Sequence, residues 1–196
     1  MRRDTAEAAT RPRWTVPVRL EVNGTWRALE VEPRLTLLDL LRERLDLTGA
    51  KRGCDRAECG CCTVLLDGAP IYACQTLAVQ VRGRRIVTVE GVGRLAALHP
   101  IQQAFVAEDG GQCGFCTPGF ILAAKALLDR KSDPTDDEIR FAMAGNLCRC
   151  NAYARIVAAV RAAADLMRAG APLTPPPSPV GRGKGEGGAP GGGRGS

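Results

Sequence analysis

From residue 16 the chain alternates apolar and polar side chains as V-P-V-R-L-E-V, meets Asn23-Gly24, and continues through a second run over 26–31. Asn-Gly accepts the positive φ angles of a tight turn, so this pattern predicts a β-hairpin. Beyond Pro33, leucines at 35, 37, 38, 40, 41 and 45 crowd one side of a stretch rich in Arg, Asp and Glu, which predicts a short amphipathic helix. A glycine-bearing loop over 48–62 follows. Residues 63–66 with Asp67-Gly68 then predict a further strand and tight turn, and 86–89 a last strand.

The period changes in the second half. Apolar residues recur at helical spacing over 101–107, 118–128, 136–144 and 154–167, with few β-branched runs, and four helices are expected. Thr117-Pro118 reads as an N-cap followed by proline at the first helical position, and Thr135 with Glu138 has the spacing of a capping box. Gly145-Asn146 supplies a stop. Residues 171–196 are mostly Pro, Gly and Ser with a few charges and cannot bury enough apolar surface to offset ordering, so a disordered tail is expected.

The nine cysteines change this picture most. They fall in two groups, Cys54, Cys59, Cys61, Cys62 and Cys74, then Cys113, Cys116, Cys148 and Cys150. Cys54, Cys59 and Cys62 are spaced C-x4-C-x2-C with Cys74 further on, the plant-type ferredoxin spacing. Such a core with its thiolates is an anion that needs several sulfur ligands and several backbone N–H donors in one small volume. Gly53 and Gly60 let the backbone bend close to it, and Lys51 and Arg52 are expected to add a favourable field. Four cysteines also suit tetrahedral zinc, but zinc ribbons use two separated C-x2-C knuckles. Cys61 is surplus to the spacing and reads as a packed free thiol. In the second group the ligands come from two interhelical turns, one beside the positive end of the helix that follows Cys116. Spacing alone leaves zinc open there.

Charge excludes one class of partner. The net charge of +6 divides into +2 in residues 1–14, +2 in 171–196 and +2 over the whole body between them, so no basic footprint is clustered. Two Trp, two Tyr and four Phe are too few for a base-stacking platform, and nucleic acid is not an expected partner. No apolar run is long enough for a membrane span and the N-terminus lacks the apolar region of a signal peptide, so a soluble cytoplasmic protein is expected; Arg2-Arg3 reads as part of a disordered basic start. In a reducing compartment, cysteines serve metals and redox work more than structural disulfides. The one histidine, His99, precedes Pro100 at an expected helix start, where it reads as a cap, and no catalytic constellation can be drawn around it.

The strings GCDRAECGCCTVLLDG, QCGFCTPGFILAAKALL and GNLCRCNAYARIVAAV resemble the signature stretches of the iron-sulfur small subunit of the xanthine oxidase family of molybdenum hydroxylases and dehydrogenases. The resemblance covers roughly residues 15–168. It implies an α+β chain in which a β-grasp, ferredoxin-like 2Fe-2S domain (15–92) precedes a four-helix 2Fe-2S-binding domain (93–170), between disordered ends at 1–14 and 171–196. It further implies that Cys54, Cys59, Cys62 and Cys74 hold one 2Fe-2S cluster and Cys113, Cys116, Cys148 and Cys150 a second. Gln112 and Cys150 would then lie near the molybdopterin. The partners implied are a large molybdopterin-binding subunit and a medium FAD-binding subunit in a heterotrimer or its dimer. Electrons would pass from molybdenum through the helical-domain cluster and the ferredoxin-domain cluster to the flavin, with some relatives running in reverse.

On this reading the chain is part of an oxidoreductase of the xanthine dehydrogenase, aldehyde oxidase or aromatic acyl-CoA reductase type, with no substrate site of its own. A shuttle ferredoxin and a zinc-stabilised interaction module are the alternatives. A shuttle would carry an acidic excess for steering, which this near-neutral body lacks. Three departures from the family pattern stand out: Cys61 occupies a position usually held by alanine, Asn151-Ala152 replace a common Thr-Gly, and the tail has no recognised counterpart.

Overall fold

The computed structural model describes residues 14–94 and 96–170. Apart from Trp14, the ends expected to be disordered lie outside these residues. The hairpin forms as β1 (Val16–Val22) and β2 (Thr25–Val31), with Asn23 and Gly24 at φ 50° and 79° in the turn. β1 also pairs in parallel with β5 (Arg85–Val87). β5 pairs antiparallel with β3 (Thr63–Leu66), which pairs with β4 (Ala69–Tyr72), giving the order β2-β1-β5-β3-β4. The predicted last strand runs to residue 89, but β5 stops at Val87. The Thr88 N–H is taken by Asn23 Oδ1 at 2.9 Å, and Val89–Gly91 turns into a 3-10 helix.

Alternation sends Val18, Leu20 and Val22 to the inner face, against the leucine-rich segment. That segment opens as α1 (Leu37–Asp39), capped by Thr36 Oγ1, which accepts from Asp39 N–H at 3.0 Å. It then widens into a π-helical turn over Leu40–Arg44. The widening comes from the amides of Leu45 and Leu47, which reach back to the carbonyls of Leu40 and Leu41 at 3.2 and 2.8 Å. Leu37, Leu38, Leu40 and Leu41 are completely buried. Each such side chain contributes about 2 kcal/mol relative to exposure.

The four expected helices are α2 (Pro100–Ala107), α3 (Thr117–Leu128), α4 (Asp136–Met143) and α5 (Tyr153–Arg168). Among the described residues no helix is long and apolar enough to cross a membrane. Small residues on α5, Ala159 and Ala163, allow close approach to Ile101, Ala104 and Phe105 of α2 in the core of this half. His99 caps α2, its Nδ1 accepting from Ile101 N–H at 3.2 Å. The Thr135–Glu138 capping box forms as expected. The expected cap of α3 does not: Cys116 is the N-cap, its carbonyl accepting from Phe120 N–H at 3.2 Å, and Thr117 is already helical.

α3 joins the two halves. Leu122 and Ala126 pack on Leu65 of β3. Beside them, buried Asn146 donates from Nδ2 to the Gly60 carbonyl at 2.8 Å, and the Tyr72 hydroxyl donates to the Gly145 carbonyl at 2.9 Å. A Cβ on Gly119 would stand 2.4 Å from the Gly60 carbonyl oxygen. On an exposed helix Gly→Ala stabilises by roughly 1 kcal/mol. Here we expect the reverse: Gly119→Ala should lower unfolding stability by about 1–3 kcal/mol, as overpacking does, measured by denaturant titration. A gain in stability would show that the seam yields.

Candidate metal centres

The 48–62 loop brings its cysteines together by curling. Asp55, Ala57 and Gly60 take left-handed φ values of 59°, 60° and 68°. Left-handed residues between ordinary ones turn successive amides toward one side and form an anion-binding concavity. Its focus is Cys54 Sγ, which accepts from the N–H groups of Arg56, Glu58 and Cys59 at 3.4, 3.3 and 3.4 Å. The Arg56 amide, ahead of the other two, pulls the Cys54 thiol down to about 7. Cys59 Sγ in turn accepts from Cys54 N–H at 3.4 Å. A Cβ on Gly53 would lie 2.8 Å from that sulfur, so only glycine lets the backbone pass so close.

Cys62, just before β3, and Cys74, in the 3-10 turn Ala73–Gln75 after β4, are buried, with their free thiols near each other. Burial pushes Cys62 up to about 12. The field expected from Lys51 and Arg52 is largely spent elsewhere. Arg52 pairs with Asp39 and, at 2.7 Å, with Asp55, while Lys51 Nζ donates to the Thr48 carbonyl at 2.5 Å. Backbone amides, rather than these side chains, face the sulfurs.

The second group forms where α3 begins and where the turn between α4 and α5 passes it. Exposed Cys113 lies near Cys150, and its free thiol is lowered first by the Phe115 amide and then by Cys150. Buried Cys116 lies near Cys148, and its free thiol is pushed up to about 12 by burial. Cys148 Sγ accepts from Ala152 N–H at 3.5 Å, and the Cys148 N–H donates to the Tyr153 hydroxyl at 2.9 Å. Thr117 Oγ1, next to Cys116, is buried without a hydrogen-bond partner among the described residues. Gln112 is exposed beside Cys113.

In both groups the thiols meet in twos, Cys54 with Cys59, Cys62 with Cys74, Cys113 with Cys150 and Cys116 with Cys148. Two thiolates on each of two irons is the arrangement a 2Fe-2S core demands. The paired sulfurs, the amide donors, the Gly53 gap and the orphaned Thr117 hydroxyl all fit that group.

Sequence reasoning missed how close the two groups lie. The Leu147 N–H donates to the Cys59 carbonyl at 2.9 Å, tying the residue before Cys148 to a residue of the first group. A cavity of about 390 Å³ is lined by Cys54, Cys59 and Cys61 from the first loop, Cys113 and Cys116 from the segment before α3, and Cys148 from the turn between α4 and α5. Cys61, surplus to the spacing, also lies near Cys59. It is buried in the core of the helical half, near both Cys59 and Cys116. Nothing in the spacing marks Asn146 or Leu147 as the residues that join the loops.

Known proteins give the same assignment. The 2Fe-2S iron-sulfur cluster binding domain family matches residues 20–83, and the 2Fe-2S binding domain family matches residues 88–161. The chain is 48% identical over 172 residues to the aldehyde oxidoreductase iron-sulfur-binding subunit PaoA of Escherichia coli K12, covering 80% of this chain and 75% of that protein. It is 49% identical to the nicotinate dehydrogenase small FeS subunit of Eubacterium barkeri, covering 76% of this chain and 96% of that one. Among solved structures, a chain of quinoline 2-oxidoreductase from Pseudomonas putida 86 superposes with a TM-score of 0.76 at 44% identity, over 80% of this chain and 98% of that one. The chain matches only 17% of the much longer aldehyde oxidoreductase of Desulfovibrio gigas. With two 2Fe-2S binding domains in series and relatives of this kind across most of its length, the chain belongs to the iron-sulfur subunits of the xanthine oxidase family of molybdenum hydroxylases.

Proposed function

We propose that this chain is an electron relay carrying two 2Fe-2S clusters between a molybdopterin subunit and an FAD subunit. Cys54, Cys59, Cys62 and Cys74 hold one cluster, and Cys113, Cys116, Cys148 and Cys150 the other, on domains that divide near residue 92. When bound, each cluster takes up and gives back one electron. The observation that carries the reading is the Leu147–Cys59 hydrogen bond of 2.9 Å, which joins the two ligand sets through a short run of bonds. Tunnelling falls steeply with distance, so ligand sets held in contact are what a relay needs and a zinc-stabilised module does not.

The two sets are not equally placed at the surface. Gln112 and Cys113 are exposed, and Phe115, Leu147 and Tyr153 form an exposed apolar rim around the second set. Such a rim suits a docked subunit, and the proposal puts the molybdopterin subunit there, with Gln112 and Cys150 nearest the pterin. The FAD subunit then meets the ferredoxin half in a heterotrimer or its dimer. All nine cysteines are free, which suits a cytoplasmic complex. The relatives are named for aldehyde, nicotinate and quinoline, so the substrate is set on a partner rather than here.

The purified complex should contain about four irons per copy of this chain and give two distinct EPR signals after reduction. Cys62→Ala should remove one signal and about half the iron. A preparation rich in zinc and without visible absorption would sink the proposal.

Cys150→Ser should alter the signal of the helical-half cluster. It should also slow substrate-driven flavin reduction by about tenfold or more, since even indirect partners of a metal site cost that much. Reduction of molybdenum in a single turnover should persist, which stopped-flow spectra can separate. Normal flavin reduction with that cluster absent would take it off the electron path and overturn the assignment.

A further inference from the structure

The first ligand loop is pinned at both ends, and only its far end belongs to the seam at Gly60. At its start the Gly49 N–H donates to Glu90 Oε1 at 2.7 Å. Glu90 lies in the 3-10 turn Val89–Gly91 that leads into the helical half, and Val89 beside it packs against the core of that half. A Cβ on Gly49 would collide with the Val89 side chain, so the loop and the turn are in close contact. The other Glu90 oxygen is taken as well. Oε2 accepts from Thr88 Oγ1 at 2.5 Å, and that hydroxyl accepts from Asn23 Nδ2 at 2.9 Å while Asn23 Oδ1 holds the Thr88 N–H. Thr88 is completely buried, so its hydroxyl depends on these partners. A chain of bonds thus runs from the β1–β2 turn through Thr88 and Glu90 to the ligand loop, each member directing the next. Arg42 supports the same stem, donating to the carbonyls of Thr48 and Ala50 at 2.9 and 2.8 Å.

A loop held only at Gly60 could swing about that point and carry Cys54 and Cys59 toward or away from Cys113, Cys116 and Cys148 across the shared cavity. A second fastening at Gly49 removes that freedom. We infer that Glu90 is a positioning residue for electron transfer: by holding Gly49 from the turn that opens the helical half, it fixes the separation of the two ligand sets. Its part is geometric, because its hydrogen bonds go to Gly49 and Thr88 and not to a cysteine. The inference rests on the relay proposed above and adds the residue that sets the gap the electron crosses.

The test uses the whole complex and compares Glu90→Ala and Glu90→Gln with the parent. Both clusters are paramagnetic when reduced, and the mutual splitting of their EPR signals falls with the cube of their separation. Glu90→Ala should keep its iron, weaken the splitting and slow substrate-driven flavin reduction by about tenfold, as loss of an outer hydrogen bond does at metal sites. Glu90→Gln, which keeps an acceptor for Gly49, should restore both. Unchanged splitting and rate in Glu90→Ala overturn the role of Glu90 and leave the relay standing. Loss of iron in Glu90→Ala overturns it too, because Glu90 would then serve the folding of the loop rather than the gap. A Glu90→Gln variant that behaves like Glu90→Ala overturns geometry in favour of charge. Absence of any splitting in the fully reduced parent overturns the relay itself.

Discussion

The carbonyl of Gly60 is where the two halves of the molecule are fastened. It accepts from Thr63 N–H at 3.0 Å, from Thr63 Oγ1 at 2.7 Å and from Asn146 Nδ2 at 2.8 Å, and α3 passes so close that Gly119 has no room for a side chain. A buried carbonyl with this many donors is fixed in direction. Gly60 itself sits at φ 68° in the left-handed region, and the reversal it makes sets Cys59 on one side and Cys62 on the other. The same atom therefore orients the first ligand loop and anchors the turn that carries Cys148 and Cys150. If the seam opened, the Leu147–Cys59 bond would go with it, and the two ligand sets would be separate sites on separate domains.

Much of this could be read from the chain. The hairpin rests on Asn23-Gly24, α4 on its capping box, and α5 on a period that places Ile156, Ala159, Val160 and Ala163 on one buried face. The cysteine spacing marked the two groups of thiols that the fold draws together around one cavity, because covalent reach limits how far residues close in sequence can separate. What stayed hidden was set by tertiary contacts. The π-helical turn follows from where Leu45 and Leu47 find acceptors, the early end of β5 from Asn23 reaching across to Thr88, and the cap of α3 from the position of Cys116 rather than from Thr117. Asn146 looked like a helix stop. Its amide instead crosses to Gly60, and no local pattern foretells a partner 86 residues away.

The two sites solve the same electrostatic problem with backbone amides, in different numbers. The ferredoxin loop spends its backbone on it: left-handed residues at 55, 57 and 60 turn three amides onto Cys54, and the cationic side chains nearby are occupied with Asp39, Asp55 and a carbonyl. Alanine at 57 tolerates a conformation that costs L-residues roughly 1–3 kcal/mol, a strain offset by donors that an ordinary turn would aim at water. The helical half uses the same device more sparingly, with Gly114 and Asn151 left-handed at φ 78° and 60° just before the amides that face Cys113 and Cys148. It relies on the amide of Phe115, on Ala152 N–H at 3.5 Å and on the positive end of α3 beside Cys116.

Burial divides both sets, leaving Cys54 and Cys59 partly exposed beside buried Cys62 and Cys74, and it divides the second set more sharply. Cys116 and Cys148 are buried, whereas Cys113 is open to solvent beside Phe115, Leu147 and Tyr153. Solvent exposure is one of the quantities that fixes a cluster potential, because water stabilises the extra negative charge of the reduced state. A partner seated on the apolar rim would displace that water and change the electrostatics of Cys113 and Cys150 far more than those of Cys62 and Cys74, which are already sealed between β3, β4 and the leucine-rich segment. Assembly of the kind proposed would thus act on the cysteines unequally. Cys62 and Cys74 have their environment fixed by their own fold, whereas Cys113, Cys150 and, across the shared cavity, Cys54 and Cys59 would acquire part of theirs in a complex.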